Sequence, residues 1–116
     1  MLMAAKRYDL ALECYDKLRS SAHTFQDVIT KAYALRQMSA CFIKMEKHEN
    51  AVVCLKYVLA IAWTIKLSEL ELTAFEGLAV AYLYLGKLEK TRYYDARVMH
   101  GMYEQENSQT YKITVS

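Results

Sequence analysis

The chain has 116 residues, of which 54% are hydrophobic and 24% are charged, and its formal net charge is +2. This length fits one domain or a piece of a longer array, and so small a net charge gives no electrostatic reason to expect nucleic acid or an anionic membrane as a partner. Because the chain has no proline and only three glycines, we expect helices rather than strands joined by tight turns.

Apolar residues recur at helical spacing along most of the chain, which predicts successive amphipathic helices. After an opening MLMAA that is typical of a helix end, we expect helices at residues 8–20, 27–45, 49–65, 68–85 and 88–100. Ser68 with the following glutamates predicts a capping box. Gly86 is expected to end its helix, and Gly101 either to end its helix or to loosen a turn. Residues 103–116 are polar and then β-prone, so we expect a loose tail or a strand-like capping segment.

The connections between these helices are short and differ in length. KMEKHE and LGKLE join their helices closely, whereas SSAHTFQ and IKLSE are slightly longer. Short connections bring successive helices together as antiparallel hairpins. We therefore expect helical hairpins at residues 1–22, 26–66 and 68–101.

The cysteines and the apolar runs indicate a cytoplasmic protein. Cys14, Cys41 and Cys54 lie within apolar helical patterns and form no C-x-x-C pair, which favours reduced thiols in the core. The apolar start is five residues long, shorter than the roughly 7–15 residues of a signal-peptide core. The run VVCLKYVLAIAWTI is interrupted by Lys56 and is shorter than the about 20 residues that span a bilayer. We expect no membrane insertion.

Residue size repeats when the sequence is shifted against itself by 40 residues. The small positions are Ala11, Ala51 and Thr91 in one set and Ser39 and Ala79 in another. The large positions pair Leu35 with Phe75, Met38 with Leu78, Phe42 with Tyr82, and Leu18 with Val58, and Cys14 pairs with Cys54. Small residues facing large ones let two helices approach closely. The chain is therefore predicted to be a helical-hairpin repeat.

This pattern resembles the tetratricopeptide repeat (TPR) family. The family's motif is matched by Leu35, Met38, Ser39 and Phe42 on a first helix, by Ala51, Leu55 and Val58 on a second, and by Phe75, Leu78, Ala79 and Tyr82 in the next copy. The last copy departs from the motif, with Thr91 for alanine and Asp95 where Leu55 stands, and we expect Tyr94 to supply the missing bulk. The helix-ending proline is absent.

The period of 40 exceeds the usual value of about 34 and resembles the Pins/LGN-like subclass of cell-polarity adaptors; axonemal repeat proteins use similar lengths. The resemblance implies an all-α fold, an α-solenoid of about two and a half antiparallel hairpins in a right-handed superhelix, over residues 1–102, with residues 103–116 as a polar C-terminal tail. Because Leu2 aligns with Phe42, late in a first helix, we expect the chain to be part of a longer array.

In such a solenoid the first helices line a concave groove that binds partners. The predicted groove residues are Tyr33, Arg36, Ala40, Ile43, Lys44, Thr73, Glu76, Val80, Leu83 and Tyr84. Related repeats that bind C-terminal carboxylates carry an asparagine where Ala40 and Val80 stand here. The groove is therefore expected to take a long amphipathic or extended peptide, unless it holds the chain's own tail or packs on a neighbouring domain.

The sequence offers no candidate catalytic, cofactor or metal site. His23, His48 and His100 lack metal-ligand spacing, and the three glycines form no phosphate-binding loop. A basic cluster at Lys87, Lys90, Arg92 and Arg97 alternates with acids, as on a solvated helix face. We therefore expect a non-enzymatic scaffold or adaptor that binds a partner protein. The alternative is an architectural segment of a large cytoskeletal or axonemal (ciliary) assembly.

Overall fold

The computed structural model describes residues 7–115, with side chains as far as Glu104. This part of the chain folds into five helices: α1 (Tyr8–Thr24), α2 (Val28–Lys44), α3 (His48–Ile65), α4 (Ser68–Tyr84) and α5 (Leu88–Val115). Each helix packs on the next one along the chain, and the described residues contain no strand. The predicted all-α class is confirmed. The opening MLMAA lies outside the described residues.

The four turns between the helices share one backbone conformation. Each contains a residue in the left-handed region: Gln26 (φ 57°), Glu46 (φ 62°), Lys66 (φ 57°) and Gly86 (φ 75°). The amide of the following residue donates to the carbonyl five positions earlier, at 2.8, 2.7, 3.0 and 2.9 Å in the four turns in chain order. This is the hydrogen bond of the Schellman motif. The turns recur every 20 residues, so the predicted alternation of shorter and longer connections is wrong.

The small residues of the 40-residue register lie in the core, as predicted. Ala11, Ser39, Ala51, Ala79 and Thr91 are all buried. The two polar members satisfy their hydroxyl groups. Ser39 donates to the carbonyl of Arg36 at 2.6 Å, and the Thr91 hydroxyl lies 3.2 Å from the carbonyl of Lys87 and 3.4 Å from that of Ala79 on α4. A buried hydroxyl with a partner avoids the cost of an unsatisfied polar group.

Most of the large positions also fill the core, which centres on α3 and its two neighbours. The following large residues are almost completely buried: Leu35, Met38, Leu55, Val58, Phe75, Leu78 and Tyr82. Two positions differ: Phe42 is only partly buried at the edge of this cluster, and Leu18, the predicted counterpart of Val58, is exposed. Tyr94 of α5 stacks on Tyr82 at a centroid distance of 5.7 Å and lies 5.9 Å from Phe75, while Asp95 is exposed. Tyr94 therefore supplies the bulk that Asp95 lacks.

The start of α4 differs from the prediction. Its N-cap is Leu67, Ser68 is already the first helical residue, and there is no side-chain capping bond. The reason is that the amide of Leu67 closes the preceding turn on Ala62, which sets the helix start one residue before the serine. The predicted capping box is therefore wrong.

A side-chain cap occurs instead at the start of α2. The Asp27 carboxylate accepts bonds from the hydroxyl of Thr30 at 2.6 Å and from its amide at 3.1 Å. These bonds favour the ionised form and hold the pKa of Asp27 below its ordinary value. The helix thus begins with its orphan amide satisfied.

Two glycines lie where neighbouring helices approach closely. A Cβ on Gly77 of α4 would lie 2.9 Å from both terminal carbons of Leu55 of α3, and one on Gly101 would collide with Leu72 of α4.

Since α5 continues past Gly101 to Val115, the predicted helix end at that glycine is wrong. The described backbone beyond it is helical, neither loose nor strand-like. The division of the chain at residue 102 stays a prediction.

We predict that Ala51→Leu destabilises the protein by roughly 1–3 kcal/mol, because Ala51 is 0% exposed and extra methyl groups overpack a close helix contact. Lys47→Leu is the control, since Lys47 is exposed in a turn and its substitution should change stability by less than about 0.5 kcal/mol. Urea unfolding measures both free energies. Equal midpoints for the two variants would contradict the packing described for Ala51.

We also predict that Gly86→Ala lowers the free energy of unfolding by about 1 kcal/mol, because an L-residue is strained in the left-handed region. No atom lies within 4 Å of the new Cβ, so the loss would report backbone conformation alone. Glu46→Gly in the equivalent turn should leave stability unchanged or higher. If the alanine variant unfolds at the wild-type urea concentration, the left-handed turn is not formed at Gly86.

Candidate functional site

The ten predicted groove residues divide equally between α2 and α4. Three of them, Tyr33, Arg36 and Thr73, line one cavity of about 320 Å³ between these helices. The remaining lining residues are Ile29, Ala32, Leu67, Glu69 and Leu70. We call this the α2–α4 cavity. It brings together the part of the predicted groove nearest the start of both helices.

The residues of this cavity that the prediction missed lie at helix starts. Ile29 is 57% exposed and Leu67 40% exposed, although both are large and apolar. Ile29 precedes Tyr33 by four residues, so the helical spacing that identified Tyr33 could have been followed one turn back. Leu67 and Glu69 lie on either side of Ser68, the predicted start of α4. This segment was expected to form a capping box, so it was not considered as part of a binding surface.

The other predicted groove residues extend toward the opposite ends of the two helices. Val80 and Leu83 are 44% and 54% exposed, and Ala40, Lys44 and Glu76 are exposed as well. Ile43 is partly buried against the core, which limits its access from solvent. Toward these ends of the two helices, the apolar surface open to solvent therefore lies mainly on α4.

Tyr84 makes a contact outside the predicted groove. Its ring stacks on His48, the first residue of α3, at a centroid distance of 4.7 Å and an interplanar angle of 7°. The Nδ1 atom of His48 is buried and has no hydrogen-bond partner within the described residues. The stack packs His48 against α4.

The α2–α4 cavity combines aromatic, apolar and polar groups. Tyr33 meets Tyr15 of α1 edge-on at 6.4 Å, which positions its ring. Arg36 and Glu69 line the same cavity yet form no ion pair within 4 Å in the described part of the chain. One free cation and one free carboxylate beside apolar side chains can hold a peptide by its side chains and its backbone.

A larger cavity of about 470 Å³ lies on the other side of α2. It is lined by Arg19 and His23 of α1, by Lys31, Leu35, Met38 and Phe42 of α2, and by Asn50, Val53, Cys54 and Tyr57 of α3. We call this the α1–α3 cavity. Each residue of an α-helix is rotated by about 100° from the one before it. The α2 residues that line this cavity therefore lie on roughly the opposite side of the helix from Tyr33 and Ala40. The sequence prediction assigned Leu35, Met38 and Phe42 to the core and did not find this cavity.

The polar groups of the α1–α3 cavity include a cluster from α1 and the start of α2. The Nζ atom of Lys31 is 3.0 Å from Nδ1 of His23. Arg19 is bound to Asp16 one turn away, at 2.9 Å. Within the described residues no carboxylate lies within 4 Å of Lys31. Because an ammonium donates to the imidazole nitrogen, the charge of Lys31 has no counter-ion there.

The three cysteines are free thiols, but their environments differ. Cys41 and Cys54 are buried, whereas Cys14 is exposed, so the core role predicted for Cys14 is wrong. Burial raises the pKa of Cys41, and burial raises the pKa of Cys54 to about 11, with Arg19 acting weakly in the opposite direction. Loss of solvent disfavours the thiolate, so neither buried thiol is a good nucleophile near neutral pH.

Neither a metal cluster nor a membrane-spanning segment is found in the described residues. No group of three or more His, Cys, Asp or Glu side chains there could hold a metal ion. In the same part of the chain, no helix is both long enough and apolar enough to cross a bilayer.

We predict that iodoacetamide at pH 8 labels Cys14 well before Cys54, since only about one Cys54 thiol in a thousand is ionised at that pH. Because its pKa is raised, labelling of Cys54 should accelerate about tenfold for each pH unit between 7 and 9. Timed quenching and peptide mass spectrometry measure each site, and Cys14 is the internal control. Equal initial rates would contradict the burial of Cys54.

Comparison with protein-family models gives no match, and no curated protein is similar enough to the chain to count as a relative. The resemblance to the tetratricopeptide repeat therefore rests on the 40-residue pattern of the sequence itself.

Proposed function

We propose that this chain is a TPR-like α-solenoid that serves as a non-enzymatic scaffold and binds a segment of a partner protein on the face formed by α2 and α4. The architecture is supported by the same left-handed turn at 20-residue intervals and by the burial of all five small positions of the repeat. Equal units joined by equal turns stack regularly, which is the basis of a solenoid.

The single observation that carries the binding proposal is the α2–α4 cavity with its apolar continuation along α4. Tyr33, Arg36 and Thr73 line the cavity, and Val80 and Leu83 expose apolar surface further along. From Thr73 to Leu83 is about 15 Å along the helix axis. A surface of that length suits an extended peptide or a short amphipathic helix better than a compact small molecule.

The charges on this face fit a peptide that carries both signs. Arg36 and Glu69 line the cavity without pairing to each other, and Glu76 and Lys44 are exposed beyond it. Exposed charges of this kind contribute more to orientation and association rate than to affinity. The apolar contacts would supply most of the binding energy.

A second candidate is an architectural role inside a large cytoskeletal or axonemal assembly, and the surface of α5 favours it. Met99, Met102 and Tyr103 are 68%, 53% and 64% exposed, and Tyr93 is 57% exposed. An apolar surface of this kind marks a contact with another protein layer. In that role α5 would pack on a neighbouring unit, and the groove would be occupied permanently.

We predict that Val80→Asp combined with Leu83→Asp reduces recovery of partner proteins at least tenfold while leaving the helix content unchanged. Both side chains are about half exposed, so the charges would oppose an apolar ligand without entering the core. Ile43 is less suitable for this test because it packs against the core. The measurement is co-precipitation from cell extract with mass spectrometry, with circular dichroism on the same samples.

Val53→Asp on α3 provides the control, since Val53 is 54% exposed and lies on the opposite side of α2. Partners of the α2–α4 face should survive this change. If the folded double variant recovers every partner that the wild type recovers, the α2–α4 face is not the binding surface, and the architectural role becomes the better explanation.

A further inference from the structure

We propose that the α1–α3 cavity is a second docking site, for a peptide segment of another protein that places apolar side chains along the cavity and an aspartate or glutamate at its basic end. This site is separate from the α2–α4 face and does not depend on it. Three properties of the cavity point to such a ligand: its dimensions, its apolar lining and its unbalanced charge.

The cavity is a groove whose length is set by one stripe of α2. Its α2 members, Lys31, Leu35, Met38 and Phe42, follow helical spacing and span about 16 Å along the axis. That is three turns of a bound helix or about five residues of an extended strand. The length therefore suits a short peptide.

The lining is apolar at the base and exposed at the rim. Leu35 and Met38 are only 5% and 8% exposed, whereas Val53 and Tyr57 of α3 are 54% and 60% exposed. Val53 and Tyr57 are four residues apart and so lie one above the other on α3. Exposed aromatic and aliphatic groups beside a recess are typical of the anchor positions of protein interfaces.

The two ends of the groove differ in charge. Since α1 and α3 both run antiparallel to α2, Arg19 and His23 lie beside Lys31 at one end, and Asn50 lies toward Phe42 at the other. Arg19 is neutralised by Asp16, whereas among the described residues the ammonium of Lys31 has the imidazole of His23 as its partner and no carboxylate within 4 Å. The basic end thus has one cation that a ligand can pair with, and charge complementarity selects a carboxylate.

A peptide is the occupant because the exposed rim requires several side chains in succession. A carboxylate at Lys31 satisfies the charge, apolar side chains cover Leu35, Met38 and Val53, and a backbone carbonyl or side-chain donor can meet Asn50. This order, acidic at one end and apolar next to it, defines the ligand class and its direction along the groove.

The test uses random 12-residue peptides displayed on phage and selected against the immobilised full chain. Enriched peptides are synthesised with a fluorescent label, and their dissociation constants are measured by fluorescence polarisation. We expect a class with an acidic residue next to apolar ones. For this class, Lys31→Glu and Val53→Asp should each weaken binding at least tenfold, and Leu88→Asp, at a similarly exposed apolar residue that lines neither cavity, should change it less than twofold.

The Lys31→Glu variant should also select peptides in which a lysine or arginine replaces the acidic residue. Circular dichroism of each variant confirms that the helices are intact, and Lys31 and Val53 provide two independent substitutions. The proposal is overturned if no acidic-apolar class is enriched, or if that class binds Val53→Asp and Lys31→Glu as well as the wild type. It is also overturned if Val53→Asp abolishes self-association of the chain instead, since a second copy would then be the occupant.

Discussion

The hydrogen bond that closes each turn, from an amide to the carbonyl five residues earlier, determines the length of every helix between two turns. It forms only when the residue before the donor is left-handed, and this happens at Gln26, Glu46, Lys66 and Gly86. The helices in between are 17, 18 and 17 residues long, or about 26 Å. Helices of similar length can pack on one another over most of their length.

The 40-residue register was predictable because packing depends on side-chain volume, and the sequence records volume directly. Ala51 and Ala79 are small where their helices are close, and Tyr94 replaces a leucine that is missing one position away. The 20-residue interval of the turns was not predictable in the same way. Gln26, Glu46 and Lys66 are residues that seldom adopt the left-handed conformation, and only Gly86 carries a recognisable signal.

Several of the wrong predictions concern relations between helices, whereas the capping box expected at Ser68 failed within a single helix start. Gly101 has the character of a helix terminator, but it lies inside α5, where Leu72 occupies the space that a side chain would fill. The close contact of Gly77 was not predicted either. Its partner, Leu55, stands 22 positions earlier in the sequence, and the pattern of a single helix does not reveal a contact with another helix. Cys14 matches Cys54 in the register but is exposed in the described structure.

The candidate site was predictable in part, for the reason that exposure follows helical phase. Tyr33, Arg36 and Thr73 were found from their positions in the repeat and do share a cavity. The α1–α3 cavity was missed because its volume depends on the separation of three helices. Leu35 and Met38 behave as core residues in any single-helix pattern, and only the arrangement of α1 and α3 leaves a recess above them.

The aromatic cluster between α4 and α5 should give the protein a near-ultraviolet circular dichroism signal that depends on the packing of these two helices. Tyr94 is stacked on Tyr82 with an interplanar angle of 2° and meets Tyr93 edge-on at a centroid distance of 5.0 Å, so the Tyr94 ring has asymmetric surroundings. Trp63, the single tryptophan, is 56% exposed. Near-ultraviolet circular dichroism, which detects immobilised aromatic rings, would follow the docking of α5 on α4, whereas tryptophan emission would report chiefly on the solvent around the end of α3.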